Sequence, residues 1–204
     1  MIKFVVIYNR LSMKEIISTE YSTLYTGSLK DMSDLVDSCV DDIRPLLNDY
    51  PEIIVYGKKC LQRRSVGFFS DSIIGYKYSG KIETSQRLTK NLKILLDHIN
   101  IKFNSDFNGI LVNKYKDGLE YISDHSDNEQ EISDKGVISI SYGATRKFRI
   151  RNKLTKKIVK DILTENYQII QMNGNFQKEF LHGIPIEKKI KEERISFTFR
   201  KHLV

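Results

Sequence analysis

The stretch "RISFTFR", residues 194–200, decides how the rest of the chain is read. Ile195, Phe197 and Phe199 alternate with Arg194, Ser196, Thr198 and Arg200. Successive side chains on a strand point to opposite faces, so the alternation predicts a strand with one apolar and one polar face. Arg194 and Arg200 share the polar face, roughly 20 Å apart at strand rise. Two guanidiniums so placed either bracket a small dianion, because Arg is the best bidentate partner of a carboxylate, or are simply solvated on an edge strand.

Working outward, the same pattern recurs throughout the C-terminal half. "FNGILVNKY" (107–115), "VISISYG" (137–143), "RKFRIR" (146–151) and "QIIQMNG" (168–174) are short, alternating and rich in β-branched or aromatic residues, with Gly, Asn and Asp between them. They predict an all-β sandwich or barrel. The N-terminal half reads differently. "SLKDMSDLVDSCVDDIRPLL" (28–47) places Leu29, Met32, Leu35, Val36, Cys39 and Val40 at helical spacing, in a helix from Ser28 to about Asn48. "SQRLTKNLKILLDHIN" (85–100) predicts a second helix, with Leu88, Leu92, Leu95, Leu96 and Ile99 on one face and Ser85 as N-cap. "EIIVYG" (52–57) and "IIGYKYSGK" (73–81) read as strands flanking a basic, irregular stretch. The fold class is α+β, mainly β.

A length of 204 residues suits a single domain. No apolar run approaches the roughly eighteen residues of a membrane-spanning helix. The start "MIKFVVIYNRLSMKEI" has an apolar patch but no basic leader or small-residue cleavage site, and reads as a strand of the mature protein. Cys39 and Cys60 are too few for a disulfide framework or a cysteine-built zinc site, and suggest a reducing compartment. The net charge is +7, with cations crowded into 58–64, 146–160 and 188–194. Such a balance suits a polyanion, with nucleic acid the default.

There are four histidines. "HSD" places His125 and Asp127 two residues apart, but roughly half an H-x-[DE] is expected by chance, so the motif alone is weak. A third ligand is needed. Two histidines and a carboxylate on one face of an octahedron leave three positions open, as in non-haem Fe(II) oxygenases. His182, in "FLHGIP", is the candidate. His98 reads as a helix-surface residue, and His202 lies too near the end to count on. Asn113 and Tyr115, at i and i+2, supply neutral hydrogen bonds on one strand face.

Taken in order, Asn113-x-Tyr115, His125-x-Asp127, His182-x-x-Pro185 and Arg194 to Arg200 resemble the AlkB family of Fe(II)- and 2-oxoglutarate-dependent dioxygenases. "FNGILVNKYKDG", "ISISYGATRKFRIR" and "ERISFTFRKH" are similar to the branch that repairs alkylated double-stranded DNA. The resemblance runs from about residue 30 to the end. It implies a double-stranded β-helix, or jelly-roll, with N-terminal helices and a nucleotide-recognition lid. Residues 28–204 would form one dioxygenase domain, with the lid at about 50–85 and the catalytic jelly-roll at about 103–204. Residues 1–27 would be an extension packed on it.

The resemblance assigns His125, Asp127 and His182 as iron ligands, which are also the catalytic set. Arg194 and Tyr115 would take the far carboxylate of 2-oxoglutarate, and Arg200 and Asn113 the chelating end. The implied cofactor is Fe(II), with 2-oxoglutarate and O2 as co-substrates. The implied reaction is oxidative demethylation of bases such as N1-methyladenine and N3-methylcytosine in DNA or RNA, releasing formaldehyde, succinate and CO2.

A base inside a duplex cannot reach such a site unless it is flipped out. The resemblance places Tyr78 as the stacking face for that base and Tyr76 as a polar contact. It places Tyr56 at the tip of a finger that fills the gap in the duplex, and Lys58, Lys59, Arg63 and Arg64 against phosphates. Two departures bear on substrate choice. The family's Pro-Arg is Gln62-Arg63 here. An acid that follows the iron aspartate in duplex-repair relatives is Asn128, with Glu129 next. The partner expected is thus DNA or RNA carrying alkylated bases, met by an intracellular monomer, nuclear or cytoplasmic, with no membrane role. The competing readings are an RNA demethylase and a catalytically silent nucleic-acid-binding module on the same fold.

Overall fold

The computed structural model describes residues 12–55, 57–71, 75–78, 81–127 and 136–202. In chain order the elements are β1 (Lys14–Ser18), β2 (Ser22–Ser28), α1 (Ser33–Ile43), β3 (Glu52–Val55), β4 (Lys58–Leu61), β5 (Ser65–Phe69), β6 (Gly75–Tyr78), β7 (Lys81–Thr84) and α2 (Lys90–Phe103). Then come β8 (Gly109–Tyr115), β9 (Ile122–His125), β10 (Val137–Gly143), β11 (Arg146–Asn152), β12 (Ile158–Thr164), β13 (Gln168–Gly174), α3 (Phe176–Glu179), β14 (Phe180–Ile184) and β15 (Arg194–Arg200).

Both long helices are shorter than their periodicity predicts. α1 runs from Ser33 to Ile43, not from Ser28 to Asn48. Pro45 sits in a tight turn beyond its end, where a ring without an N–H cannot continue the ladder. Leu29 still reaches the core, from the turn before the helix. α2 starts at Lys90. Its cap is Thr89, whose Oγ1 accepts from the Leu92 amide at 3.2 Å, and not Ser85. The helix ends at Asn104 in the left-handed region (φ 47°), where a short polar side chain is tolerated.

A seven-stranded sheet has the order β1-β2-β13-β10-β15-β8-β5, and a four-stranded sheet the order β12-β11-β14-β9. All their pairings are antiparallel. This is the expected jelly-roll. β3–β4 and β6–β7 are separate two-stranded ribbons, while β5, between them in sequence, is an edge strand of the larger sheet. The basic stretch read as irregular therefore contains two strands, β4 and β5. Residues 14–28 supply the two outer strands at the opposite edge.

The alternation in β15 sorts the two faces of the larger sheet. Ile195, Phe197 and Phe199, with Ile138, Ile140, Ile110 and Val112 of the neighbouring strands, pack under α1 and α2 in one apolar cluster. The opposite face carries Ser139, Asn113, Tyr115, Arg194, Ser196, Thr198 and Arg200, which look into the space between the sheets, and Ser141, which is bonded to Arg194. Those two arginines are thus buried inside the sandwich, not solvated on an edge. A second apolar cluster, including Phe148, Ile150, Ile170, Met172 and Phe176, closes one side of that space.

Candidate active site

His125 ends β9 and His182 sits in β14, directly opposite each other in the antiparallel register. Directly paired residues share a face, so both rings enter the sandwich with centroids 4.5 Å apart. "YISDHSD", which has no obvious period, becomes a strand because β14 offers an edge to pair with. Asp127 follows two residues later, and its backbone N–H is held by Gln177 Oε1 at 2.9 Å, from α3. The carboxylate lies 3.5 Å from His125 Nε2 and 3.6 Å from His182 Nε2. One ligand atom from each residue lies within 4.8 Å of the others.

The donors suit a divalent cation. His125 Nδ1 is 2.9 Å from the Ser123 carbonyl, which can only accept. Nδ1 therefore donates to that carbonyl, and Nε2 is the ring nitrogen that faces Asp127. Asp127 Oδ2 and His182 Nδ1 are buried with no hydrogen-bond partner among the described residues. Buried polar atoms rarely stay unsatisfied without a reason. Burial pushes the His182 imidazole down to about 3, with His125 and Arg200 adding to the effect and Asp127 opposing it, so its ring is neutral. For Asp127, burial alone would favour the protonated acid. The Arg200 guanidinium, helped by both histidines, wins and holds the carboxyl below the usual carboxylate range. The site thus offers a neutral imidazole from His182, a carboxylate from Asp127 and the Nε2 edge of His125, a donor set that suits metal binding.

Arg200 and Arg194 stand at the two ends of β15. Arg200 is 2.7 Å from Asp127 Oδ1, at the histidine end. Arg194 is at the other end, where its Nε donates to Thr164 Oγ1 at 3.2 Å and an Nη to Ser141 Oγ at 2.9 Å. It also lies 5.5 Å from the Tyr115 ring centre. Those partners carry no formal charge, so this buried cation is hydrogen-bonded but not neutralised. Burial pushes it down to about 10, with Tyr115 opposing and the neighbouring Arg146 charge adding. Asn113 and Tyr115 line the same cavity, as the i, i+2 spacing predicts.

Leu111, Ile122, Phe148 and Met172 supply the apolar walls. Phe148 stacks on His182 at 5.1 Å and 18°.

Two arginines change place relative to the sequence reading. Arg64 does not face phosphates: it is buried, lines the cavity and donates from Nε to Asn113 Oδ1 at 2.7 Å. Arg146, counted with the basic patches, is fully buried and donates to the carbonyls of Asp117, Glu120 and Pro185 and to Glu187. Their type and local pattern match those of solvated arginines, and only tertiary pairing exposes their role: β5 against β8 turns Arg64 inward, while the turn after β8 and the segment after β14 close on Arg146. For Arg194, by contrast, the alternation of polar residues in "VISISYG" was a signal, because Ser141 on that inward face accepts from its Nη. His202 also differs from expectation: it is buried and lies against Phe68 at 4.9 Å. His98 is exposed on α2.

Of the residues assigned to substrate, Arg63 is exposed and its carbonyl accepts from the Tyr121 amide. Tyr76 and Tyr78 lie on β6, in register with Glu83 and Lys81 of β7. Tyr56, Asn128 and Glu129 lie outside the described residues.

A family model described as the 2OG-Fe(II) oxygenase superfamily matches residues 43–200. The chain is 30% identical over 159 residues to the DNA oxidative demethylase ALKBH2 of Homo sapiens, a match covering 74% of this chain and 60% of that protein. It is 33% identical over 103 residues to the alpha-ketoglutarate-dependent dioxygenase alkB homolog 3 of Rattus norvegicus, covering 46% and 35%. The chain therefore spans about 60% or less of these curated relatives. The solved structure of OsALKBH1 superposes with a TM-score of 0.59 over 91% of this chain and 100% of that one. At 15% identity that likeness bears on the fold alone.

Proposed function

Because the chain belongs to the 2OG-Fe(II) oxygenase superfamily, we propose that it removes alkyl groups oxidatively from nitrogen atoms of nucleic-acid bases. One observation carries the reading. The His125, Asp127, His182 cluster faces a polar sheet that presents Arg200 at the cluster and a buried, unneutralised Arg194 at the far end. A cation and an elongated dianion fit that pair of charges. The relatives' names, DNA oxidative demethylase among them, point to the alkylated base as the molecule to be oxidised.

His125 Nε2, Asp127 and His182 would hold Fe(II). Arg194 and Tyr115 would grip the far carboxylate of 2-oxoglutarate, and Arg200 and Asn113 the end beside the metal. When bound, the iron and 2-oxoglutarate supply the oxidising power with O2. The chain supplies position and dryness: the apolar wall of Leu111, Ile122, Phe148 and Met172 keeps water from the reacting alkyl group. An N-hydroxymethyl product loses formaldehyde unaided, so no general base is required. Tyr76, Tyr78 and Tyr56 would meet the base, while Arg63, Lys58 and Lys59 would meet the backbone. Asn128 and Glu129 would tune which lesion is preferred.

The test is direct. Protein loaded with Fe(II) is incubated with 2-oxoglutarate and single- and double-stranded oligonucleotides carrying N1-methyladenine or N3-methylcytosine, in DNA and RNA. Formaldehyde, succinate and the base mass are followed. Loss of 14 Da per methyl with matching formaldehyde is the expected result, the mass being simple stoichiometry of CH2 exchange. No turnover and no succinate on any of them would remove the proposal.

A further inference from the structure

Asn113 is an amide with one accepting and one donating corner, and which corner faces a ligand decides whether it attracts a carboxylate or repels it. In β8 it lies opposite Val66 of β5 on one side and Ser196 of β15 on the other. Ser65 pairs with Lys114, so the residue before β5 comes level with Tyr115. Directly opposed residues share a face. Arg64 therefore enters on the inner face beside Asn113 and Tyr115, while Arg63 points to solvent. Arg64 Nε donates to Asn113 Oδ1 at 2.7 Å, with both side chains buried.

We propose that Arg64 is a positioning residue: it commits Asn113 Oδ1 and thereby turns the Nδ2 donor edge toward the dianion. The inference rests on the reading of Asn113 as a contact of 2-oxoglutarate. The amide could otherwise rotate about its last bond and present a carbonyl oxygen to a carboxylate. A guanidinium prevents this because its Nε–H lies in a rigid plane and always donates, and a lysine ammonium has no equivalent fixed direction. Burying a guanidinium in a cavity wall is costly, and an apolar side chain would pack there more cheaply. Its place against Asn113, in the cavity that Arg194 and Arg200 also line, gives that cost a use. It adds a positive charge to the dianion's surroundings and aligns the neutral member of the set.

The experiment uses the full chain loaded with Mn(II), a hard divalent probe that suits the same ligands, and titrates 2-oxoglutarate by calorimetry. Arg64→Gln should weaken binding about tenfold, as expected for losing one charge-assisted bond. Arg64→Lys should recover little of it. Arg64→Gln combined with Asn113→Ala should bind no more weakly than Asn113→Ala alone, because the two act as one unit. Asn113→Asp keeps an acceptor for Arg64 but removes the donor. It should therefore keep its thermal midpoint while losing 2-oxoglutarate, which tests the idea even if Arg64 variants fold poorly. In turnover, Arg64→Gln should raise KM for 2-oxoglutarate with kcat nearly unchanged at saturation, a split that general loosening of the fold would not give. Wild-type affinity in Arg64→Gln or in Asn113→Asp, or additive losses in the double variant, would overturn the inference while leaving the site reading in place. If Asn113→Ala and Arg194→Leu both bind at wild-type affinity, the site reading itself falls and takes the inference with it.

Discussion

Asp127 concentrates most of the site's electrostatics in one side chain. It faces His125, His182 and Arg200 at once, and Gln177 holds its amide. Asp127→Ala should reduce Mn(II) or Fe(II) affinity by at least 100-fold, read by calorimetry, and abolish turnover. Affinity for an oligonucleotide, read by fluorescence anisotropy, should stay within about twofold because the exposed cations are untouched. Loss of nucleic-acid binding as well would mean that the variant no longer folds. His202 makes a separate prediction about pH. Burial, with Arg200 adding, pushes it from 6.5 to about 4. Between those values the unfolded chain binds a proton that the folded chain does not. Its contribution is therefore fully present above about pH 6.5 and is lost as pH falls toward about 4. His202→Phe keeps a ring against Phe68 and cannot take the proton. Urea unfolding at pH 7 and pH 5 should show the variant gaining on the wild type at the lower pH. An unchanged difference between the two would refute this.

At the scale of elements, the turn after β8 sets where Tyr115 and the cavity floor sit. Arg146 binds the Asp117 and Glu120 carbonyls in that turn and the Pro185 carbonyl after β14, so one guanidinium joins three segments. Gly118 lies so close to the next segment that a Cβ would stand 1.9 Å from the Glu187 carbonyl oxygen. Its amide also donates to Ile190 O, and Glu187 N donates back to Gly118 O. Gly118→Ala must push two backbones apart and should cost about 2 kcal/mol or more. It should raise KM for 2-oxoglutarate in turnover assays because Tyr115 moves with the turn. Thr89→Ala removes a cap far from the cavity and should cost about 1 kcal/mol, with KM unchanged. The pair separates damage to the site from damage to the fold, and equal effects on KM would show that the turn does not position Tyr115.

Across the whole molecule, the two larger apolar clusters, one under the helices and one between the sheets, contain none of His125, Asp127 and His182. Chelation should therefore lower the melting midpoint without unfolding the chain. Metal at about 100 times its Kd should add back about 2.7 kcal/mol. A chelated protein that is unfolded at 25 °C would show that the clusters do not suffice. The charge balance also needs the whole structure. Of the 33 lysines and arginines, Arg64, Arg146, Arg194 and Arg200 are buried, so the net charge of +7 overstates what a polyanion meets. Lys58, Lys59 and Arg63 remain exposed. Replacing Lys58 by Ala should flatten the salt dependence of duplex binding by about one unit of log–log slope, the share of a single neutralised phosphate. No change in slope would place Lys58 away from the backbone. Among the described residues no helix is long and apolar enough to cross a membrane.

Much of this was legible in the chain itself. β10, β13 and β15 begin and end where their alternation predicts, because period-two patterning with one apolar face admits few other conformations. The order of Asn113, Tyr115, His125, Asp127, His182, Arg194 and Arg200 was enough to resemble a family, and the fold then brought those residues around one cavity. What local pattern left open was which charged residues go inside. Arg63 and Arg64 are neighbours of the same type, yet one is solvated and the other is locked to Asn113. Likewise "YISDHSD" becomes a strand only because β14 lies beside it. Burying a charge, or ordering a polar stretch, is favourable only when partners arrive from distant parts of the chain. Such partners exist only once the two sheets have closed.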